Sequence, residues 1–116
     1  MASQNDIGFK SFIASGAVSA YRIVDVLSDG SITAAANNTK GIGVTQEDVA
    51  DANYGNVKLW SAPGSFMVAA SGSAITAATS YGTITGGFVG VVTTSRYEAL
   101  VSAVASNGII TEFVQV

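Results

Sequence analysis

The sequence predicts a mainly β fold, a small single-domain β-barrel or β-sandwich of short antiparallel strands, with one short helix near residues 96–105. Val and Ile together supply 23 residues against three Leu, and β-branched side chains, stiff at χ1, pack well on a pleated surface. Thirteen glycines punctuate the chain at short intervals, as tight turns between short strands require. At 116 residues, 48% hydrophobic and 11% charged, the chain has the length of one domain and lies far from the composition of disordered segments.

The elements follow in order. Phe9–Ala14 and Tyr21–Leu27 read as strands separated by a Ser15-Gly16 turn. Ser28-Asp29-Gly30 is a second turn, because Asp-Gly tolerates the positive φ that hairpins need. Strands are expected at Ser31–Ala35 and Gly41–Thr45, and at Asn56–Ser61 and Ser65–Ala70 on either side of Pro63-Gly64. Ser73–Ala78, Thr83–Thr85, Phe88–Thr93 and Ile109–Val116 complete the set. Two capping-box signatures interrupt it. Thr45-Gln46-Glu47-Asp48 suggests one helical turn over Gln46–Ala52. Ser95-Arg96-Tyr97-Glu98, followed by Tyr97, Leu100, Val101 and Val104 at helical spacing and then Asn107-Gly108, predicts a helix over Arg96–Ala105. The alternation of Ala99, Val101 and Ala103 with polar neighbours argues for a strand at the same place.

Charge and chemistry narrow the function. From Leu59 to Ser95 there is no Asp, Glu, Lys or Arg, and a surface so poor in solvated groups suits contacts with other chains. Five Lys and Arg against eight Asp and Glu, net −3, do not suit binding to nucleic acid or anionic lipid, which is driven by basic clusters. With no Cys and no His, disulfides, thiolate metal sites and the commonest general base are excluded. MASQNDIGFK has neither a basic segment nor an apolar run, so no secretory signal is expected, and glycines break every stretch that approaches membrane-spanning length.

The remaining candidate sites each have a plainer account. Gly41-Ile42-Gly43 lacks the third glycine of a nucleotide fingerprint, since Gln46 stands there, and fits a strand with close backbone approach. Glu47, Asp48, Asp51 and Asn53 are the one acidic cluster, but their spacing is not that of a calcium loop; a solvated loop is expected, with no metal and no cofactor. Asp25 and Glu112 are the carboxylates placed to be buried, as a catalytic pair would require, yet pairing with Arg22 or Lys58 accounts for them. Asn37-Asn38-Thr39 is a polar turn. No catalytic residues are assigned, and the protein is not expected to be an enzyme. Trp60, Phe66, Met67, Tyr81 and Phe88 are core anchors and, in part, candidates for a contact between subunits, where large apolar groups concentrate. Trp60 with Tyr54 or Tyr81 could alternatively form the aromatic platform of a carbohydrate-binding sandwich.

The order of motifs carries a resemblance. "SAYRIVDVLSDGSITAA", "GIGVT", "YGNVKLWSAPGSFMVAASGSAITAATSYGTITGG" and "SNGIITEFVQV" together resemble the capsid decoration, or cement, proteins of tailed bacteriophages, over Phe9–Val116. The insertion at Arg96–Ser106 and the long Glu47–Tyr54 loop depart from the family pattern. The resemblance implies a structural virion protein that binds the outside of an expanded head, commonly as a homotrimer. Its partners would be the major capsid protein and further copies of itself, and it would resist the pressure of packaged DNA. Within that reading residues 1–8 form a flexible arm, in which Ser3, Gln4, Asn5, Asp6 and Ile7 order on the capsid, and residues 9–116 form the β decoration domain. The other structural alternative is a phage tail or fibre module.

Overall fold

The structure, a computed structural model, describes residues 8–72, 74–91 and 96–115. Ten strands follow one another in two groups of five: β1 Phe9–Ile13, β2 Ile23–Val26, β3 Ile32–Ala34, β4 Gly43–Thr45 and β5 Tyr54–Leu59, then β6 Phe66–Ser71, β7 Ser80–Ile84, β8 Phe88–Gly90, β9 Tyr97–Ala99 and β10 Asn107–Gln115. The first group forms a sheet in the order β1-β5-β4-β2-β3; the second closes into a barrel, β10-β6-β8-β7-β9. The first sheet also curls, since Ala14 meets Ile32 of β3 in a single parallel bridge. Pairing is antiparallel except between β6 and β8, where Ala70 and Val89 are parallel partners.

Two cores result, and β2 serves both. Ile23 and Val24 are adjacent and both fully buried, so this strand is covered on its two faces, as a continuous apolar run allows. Val24 packs with Ala14, Val18, Ile32, Val49 and Val57 inside the first sheet. Ile23, with its cross-strand partner Val44, joins Phe66, Val68, Tyr81, Tyr97 and Phe113 in the barrel core. Backbone bonds fasten the same seam: the Ile23 amide donates to the Gly87 carbonyl at 2.8 Å, and the Gly86 and Gly87 amides reach the Ala35 carbonyl at 3.0 and 3.1 Å. Gly87 has a φ of +80°, and a Cβ there would lie 2.4 Å from the Ile23 carbonyl oxygen. Gly43 is crowded too, with the Lys58 carbonyl oxygen 2.2 Å from where its Cβ would stand.

Aromatic and charged side chains close the joint. Trp60 packs edge-on against Phe66 with centroids 4.8 Å apart and lies 5.2 Å from Tyr97, and its indole N–H donates to the Gly41 carbonyl at 3.0 Å. The Arg22 guanidinium sits 4.0 Å above the Phe88 ring, a cation–π contact between the segment before β2 and the barrel. Burial lowers the pKa of Arg22 and the nearby Asp48 carboxylate opposes that shift.

The expected helix over 96–105 is not formed. Residues 97–99 are strand β9, which pairs with β10 through Phe113–Ala99, Val114–Glu98 and Gln115–Tyr97 and with β7 through Ser80–Glu98 and Tyr81–Tyr97. This strand closes the barrel; a helix would leave the edges of β7 and β10 unpaired, and each unpaired backbone group that is buried costs about as much as a lost hydrogen bond. Tyr97 and Ala99 are buried while Glu98 is not, the period-two pattern of a strand. Beyond it, Ala103 exchanges two backbone hydrogen bonds with Ile75, both 2.9 Å.

The helical turn over Gln46–Ala52 is likewise replaced. Thr45 does not cap it: its hydroxyl donates to the Ser19 carbonyl at 2.8 Å and accepts from the Arg22 amide at 3.1 Å. Val49 is pinned to Val18 by reciprocal backbone bonds and is buried in the first core. The expected strand over Ser73–Ala78 reduces to the Ile75 bridge, while the one expected over Thr83–Thr85 forms as β7, Ser80–Ile84.

Two substitutions test this packing. Gly87→Ala should lower stability on the order of 3 kcal/mol, from the strained φ and the clash at the seam, read as an unfolding midpoint in urea. Thr111 buries a hydroxyl that meets no partner among the described residues. Thr111→Val should therefore be neutral or stabilise by up to about 1 kcal/mol, because an unsatisfied group is removed at nearly constant volume.

Candidate functional site

No pocket opens among the described residues, so the candidates are side-chain clusters and surfaces. The carboxylates do not converge. Glu47, Asp48 and Asp51 each accept a backbone amide: from Asn56 at 3.0 Å, Ala20 at 2.8 Å and Gly16 at 2.8 Å. They fasten the loop before β5 to β5 itself and to the connection between β1 and β2. Among the described residues no group of three or more metal-ligating side chains is assembled.

Asp25 and Glu112 stand in different sheets. Asp25, on β2, accepts from the Thr39 hydroxyl at 3.2 Å and the Ala36 amide at 3.4 Å. Glu112, on β10, accepts from the Ser65 hydroxyl, and the Ser65 carbonyl accepts from the Lys58 ammonium at 2.7 Å. Lys58 thus reaches Glu112 through Ser65. In the β2–β3 turn, the hydroxyl of Ser31 (2.6 Å) and its amide (3.0 Å) both donate to Asp29 and hold its carboxyl below the usual range. Asn37-Asn38-Thr39 forms the expected polar turn, with Asn38 at a φ of 64° and the Thr39 hydroxyl donating to the Ala36 carbonyl at 2.8 Å.

The interface candidates separate. Phe66 and Tyr81 are buried within the protomer. Trp60 is half-buried between Phe66 and Tyr97, and Phe88 lies beneath Arg22. Met67 is exposed on the outer face of the barrel, opposite Glu112. Tyr54 is 73% exposed, but Tyr81 is buried and Trp60 packed, so neither joins it in an open aromatic platform. Ser3, Gln4, Asn5, Asp6 and Ile7 lie outside the described residues. Gly8, the last residue assigned to the arm, is buried, and its carbonyl accepts from the Leu59 amide at 2.7 Å.

Large apolar groups are exposed elsewhere. Leu100, Val101 and Val104 are 45, 48 and 74% exposed, although helical spacing assigned them to a buried face. The alternation of Ala99, Val101 and Ala103 pointed to a strand, which forms over Tyr97–Ala99; Ala99 and Ala103 face the core, but Val101, which a continuous strand would set on the same face, is exposed. Alongside them run residues 74–80, exposed except for Ile75.

Comparison with solved structures adds a likeness in fold. The chain is similar in fold to the head fiber gp8.5 N base in bacteriophage phi29, with a TM-score of 0.77 and 23% sequence identity over 93% of this chain and 92% of that one. No protein-family model and no curated protein matches.

Tyr97 gives this region a pH signature. Its hydroxyl donates to the Lys40 carbonyl at 2.9 Å and lies 3.2 Å from the Thr83 hydroxyl, and burial raises its pKa. The neutral phenol is the form the fold favours, so its contribution is fully present below the ordinary tyrosine value of 10.0. That contribution should be lost as pH rises beyond about 10, where the unfolded chain releases the proton first. Tyr97→Phe should cost about 1 kcal/mol at pH 7 and flatten the alkaline limb of a stability–pH profile.

Proposed function

We propose that this protein is a structural component of a tailed-bacteriophage virion, that it binds the outer surface of the head as a decoration or cement protein, and that it carries no catalytic activity. One observation carries the reading: the likeness in fold to a phage head fiber base extends over nearly the whole of both chains. The order of sequence motifs independently resembles phage decoration proteins. The sparse charge supports contact with neighbouring chains over many small attachments.

In this reading the partners are the major capsid protein and further copies of the chain, with a homotrimer as the expected assembly. Residues 1–7 serve as the capsid-binding arm, joined to the folded part at the Gly8–Leu59 hydrogen bond. An extended arm adds main-chain hydrogen bonds to an exposed strand edge, and several arms on one oligomer act together through effective concentration.

The same comparison favours a second reading, a base module that seats a longer fibre on the head. Cryo-electron microscopy of undecorated heads incubated with this chain separates the two. Regular occupancy of the lattice supports decoration; binding confined to sparse attachment points supports a fibre base; no binding to heads overturns both. Deleting residues 2–7 should weaken head binding tenfold or more while the thermal midpoint holds within a few degrees. Undiminished binding would remove the arm from the mechanism.

A further inference from the structure

The second group of strands is a closed barrel, while the first sheet ends at β1 on one side and at β3 on the other. The register from Phe9–Lys58 to Ile13–Tyr54 continues at both ends. The Leu59 amide donates to the Gly8 carbonyl at 2.7 Å, and the Ala14 amide to the Asn53 carbonyl at 2.9 Å. Hydrogen-bonded pairs alternate along an antiparallel ladder, so Gly8, Lys10, Phe12 and Ala14 turn their backbone groups toward β5. Phe9, Ser11 and Ile13 turn theirs the other way, where they meet no backbone partner among the described residues. Just beyond them the same edge is taken, since the Ser15 amide donates to the Ile32 carbonyl at 2.8 Å.

We propose that residues 1–5 of the same chain, which lie outside the described residues, form a further strand on this edge, antiparallel to β1. Turn chemistry selects the occupant. Gly8 stands at a φ of +81°, and a Cβ on it would lie 2.3 Å from the Ala62 Cα, so a left-handed glycine is packed in place where the chain enters β1. A left-handed glycine directly before a strand is what ends a three-residue hairpin loop, a type I turn followed by a bulge. A type I turn favours Asn at its first position and Gly at its fourth, and the sequence here is Asn5-Asp6-Ile7-Gly8. That loop pairs Asn5 with Phe9, then Ser3 with Ser11 and Met1 with Ile13, the three residues whose backbone groups point outward. The facing side chains agree: Met1 with Ile13, Ala2 with Phe12, Ser3 with Ser11 and Gln4 with Lys10, with no like charges opposed. A strand from another molecule would find the same donors and acceptors, but the turn at Gly8 delivers the chain's own segment at high effective concentration. Seated there, it hides an edge otherwise open to pairing with other molecules. On the head-binding reading, residues 1–5 are held on β1 in the free protein and exchanged to a strand edge of the head. The seat on β1 does not depend on that reading.

Amide hydrogen exchange followed by NMR on the full chain, with no phage head present, tests this. The amides of Phe9, Ser11 and Ile13 should be protected along with those of Lys10 and Phe12. Hα–Hα contacts should join Gln4 to Lys10 and Ala2 to Phe12, the pairs that lie closest in such a ladder. Ser3→Pro removes the amide that would donate to the Ser11 carbonyl. It should speed exchange at Phe9, Ser11 and Ile13 at least tenfold while Lys10 and Phe12, bonded to β5, stay protected. Deleting residues 2–5 should do the same. Open amides at Phe9, Ser11 and Ile13 in the wild type overturn the proposal, as does protection that survives both variants or the absence of the two Hα–Hα contacts. Protection that grows with protein concentration also overturns it, by assigning the edge to a second copy. None of these outcomes bears on whether the protein binds heads, which is read separately by electron microscopy.

Discussion

The fold depends on a single strand being buried from both sides. Ile23 and Val24 are neighbours in sequence and point into different cores, so β2 is at once a wall of the first sheet and a part of the barrel's packing. That arrangement demands close approach, and Gly87 supplies it by admitting the Ile23 carbonyl where any side chain would collide. Ala35 and Val44 lie on the same seam, and the Trp60 indole clamps it by holding the Gly41 carbonyl while it packs against Phe66 and Tyr97. The energetic logic is that of a close-packed interior, in which one misplaced methylene is felt throughout.

The few charged groups are used with economy. Glu47 accepts a backbone amide of β5, and Asp48 and Asp51 accept amides of the connection between β1 and β2; a carboxylate accepting an amide makes a stronger hydrogen bond than a neutral acceptor. Arg22 covers an aromatic ring, and Lys58 and Glu112 meet through Ser65. These acids act as fasteners between segments distant in sequence.

Much of this was legible in the residues. The excess of β-branched side chains and the spacing of glycines located nine of the ten strands to within a few positions, because period and turn chemistry are local properties. The exception was β9. Leu100, Val101 and Val104 have perfect helical spacing, and the reading from Arg96 followed it; what decided the matter was the need of β7 and β10 for a partner, a non-local demand that no window of sequence contains. Thr45 failed as a helix cap for a related reason, since its hydroxyl was claimed by Ser19 and Arg22 from 23 or more residues away. The same non-locality hid the surfaces. Phe66 and Tyr81 look like interface residues in a neutral stretch, and only closure of the barrel shows that their rings turn inward, while modest valines in the β9–β10 connection face water.

The division of the chain at residues 61–65 has an additional consequence. Each half contributes five consecutive strands, and Ile23, Ala35 and Val44 of the amino-terminal half join the core of the carboxy-terminal half, while Ala14, Val18, Val24, Ile32, Val49 and Val57 form a core within the amino-terminal half itself. A polypeptide severed in that turn would consist of two complementary fragments, of which the first carries one core whole and exposes its share of the other.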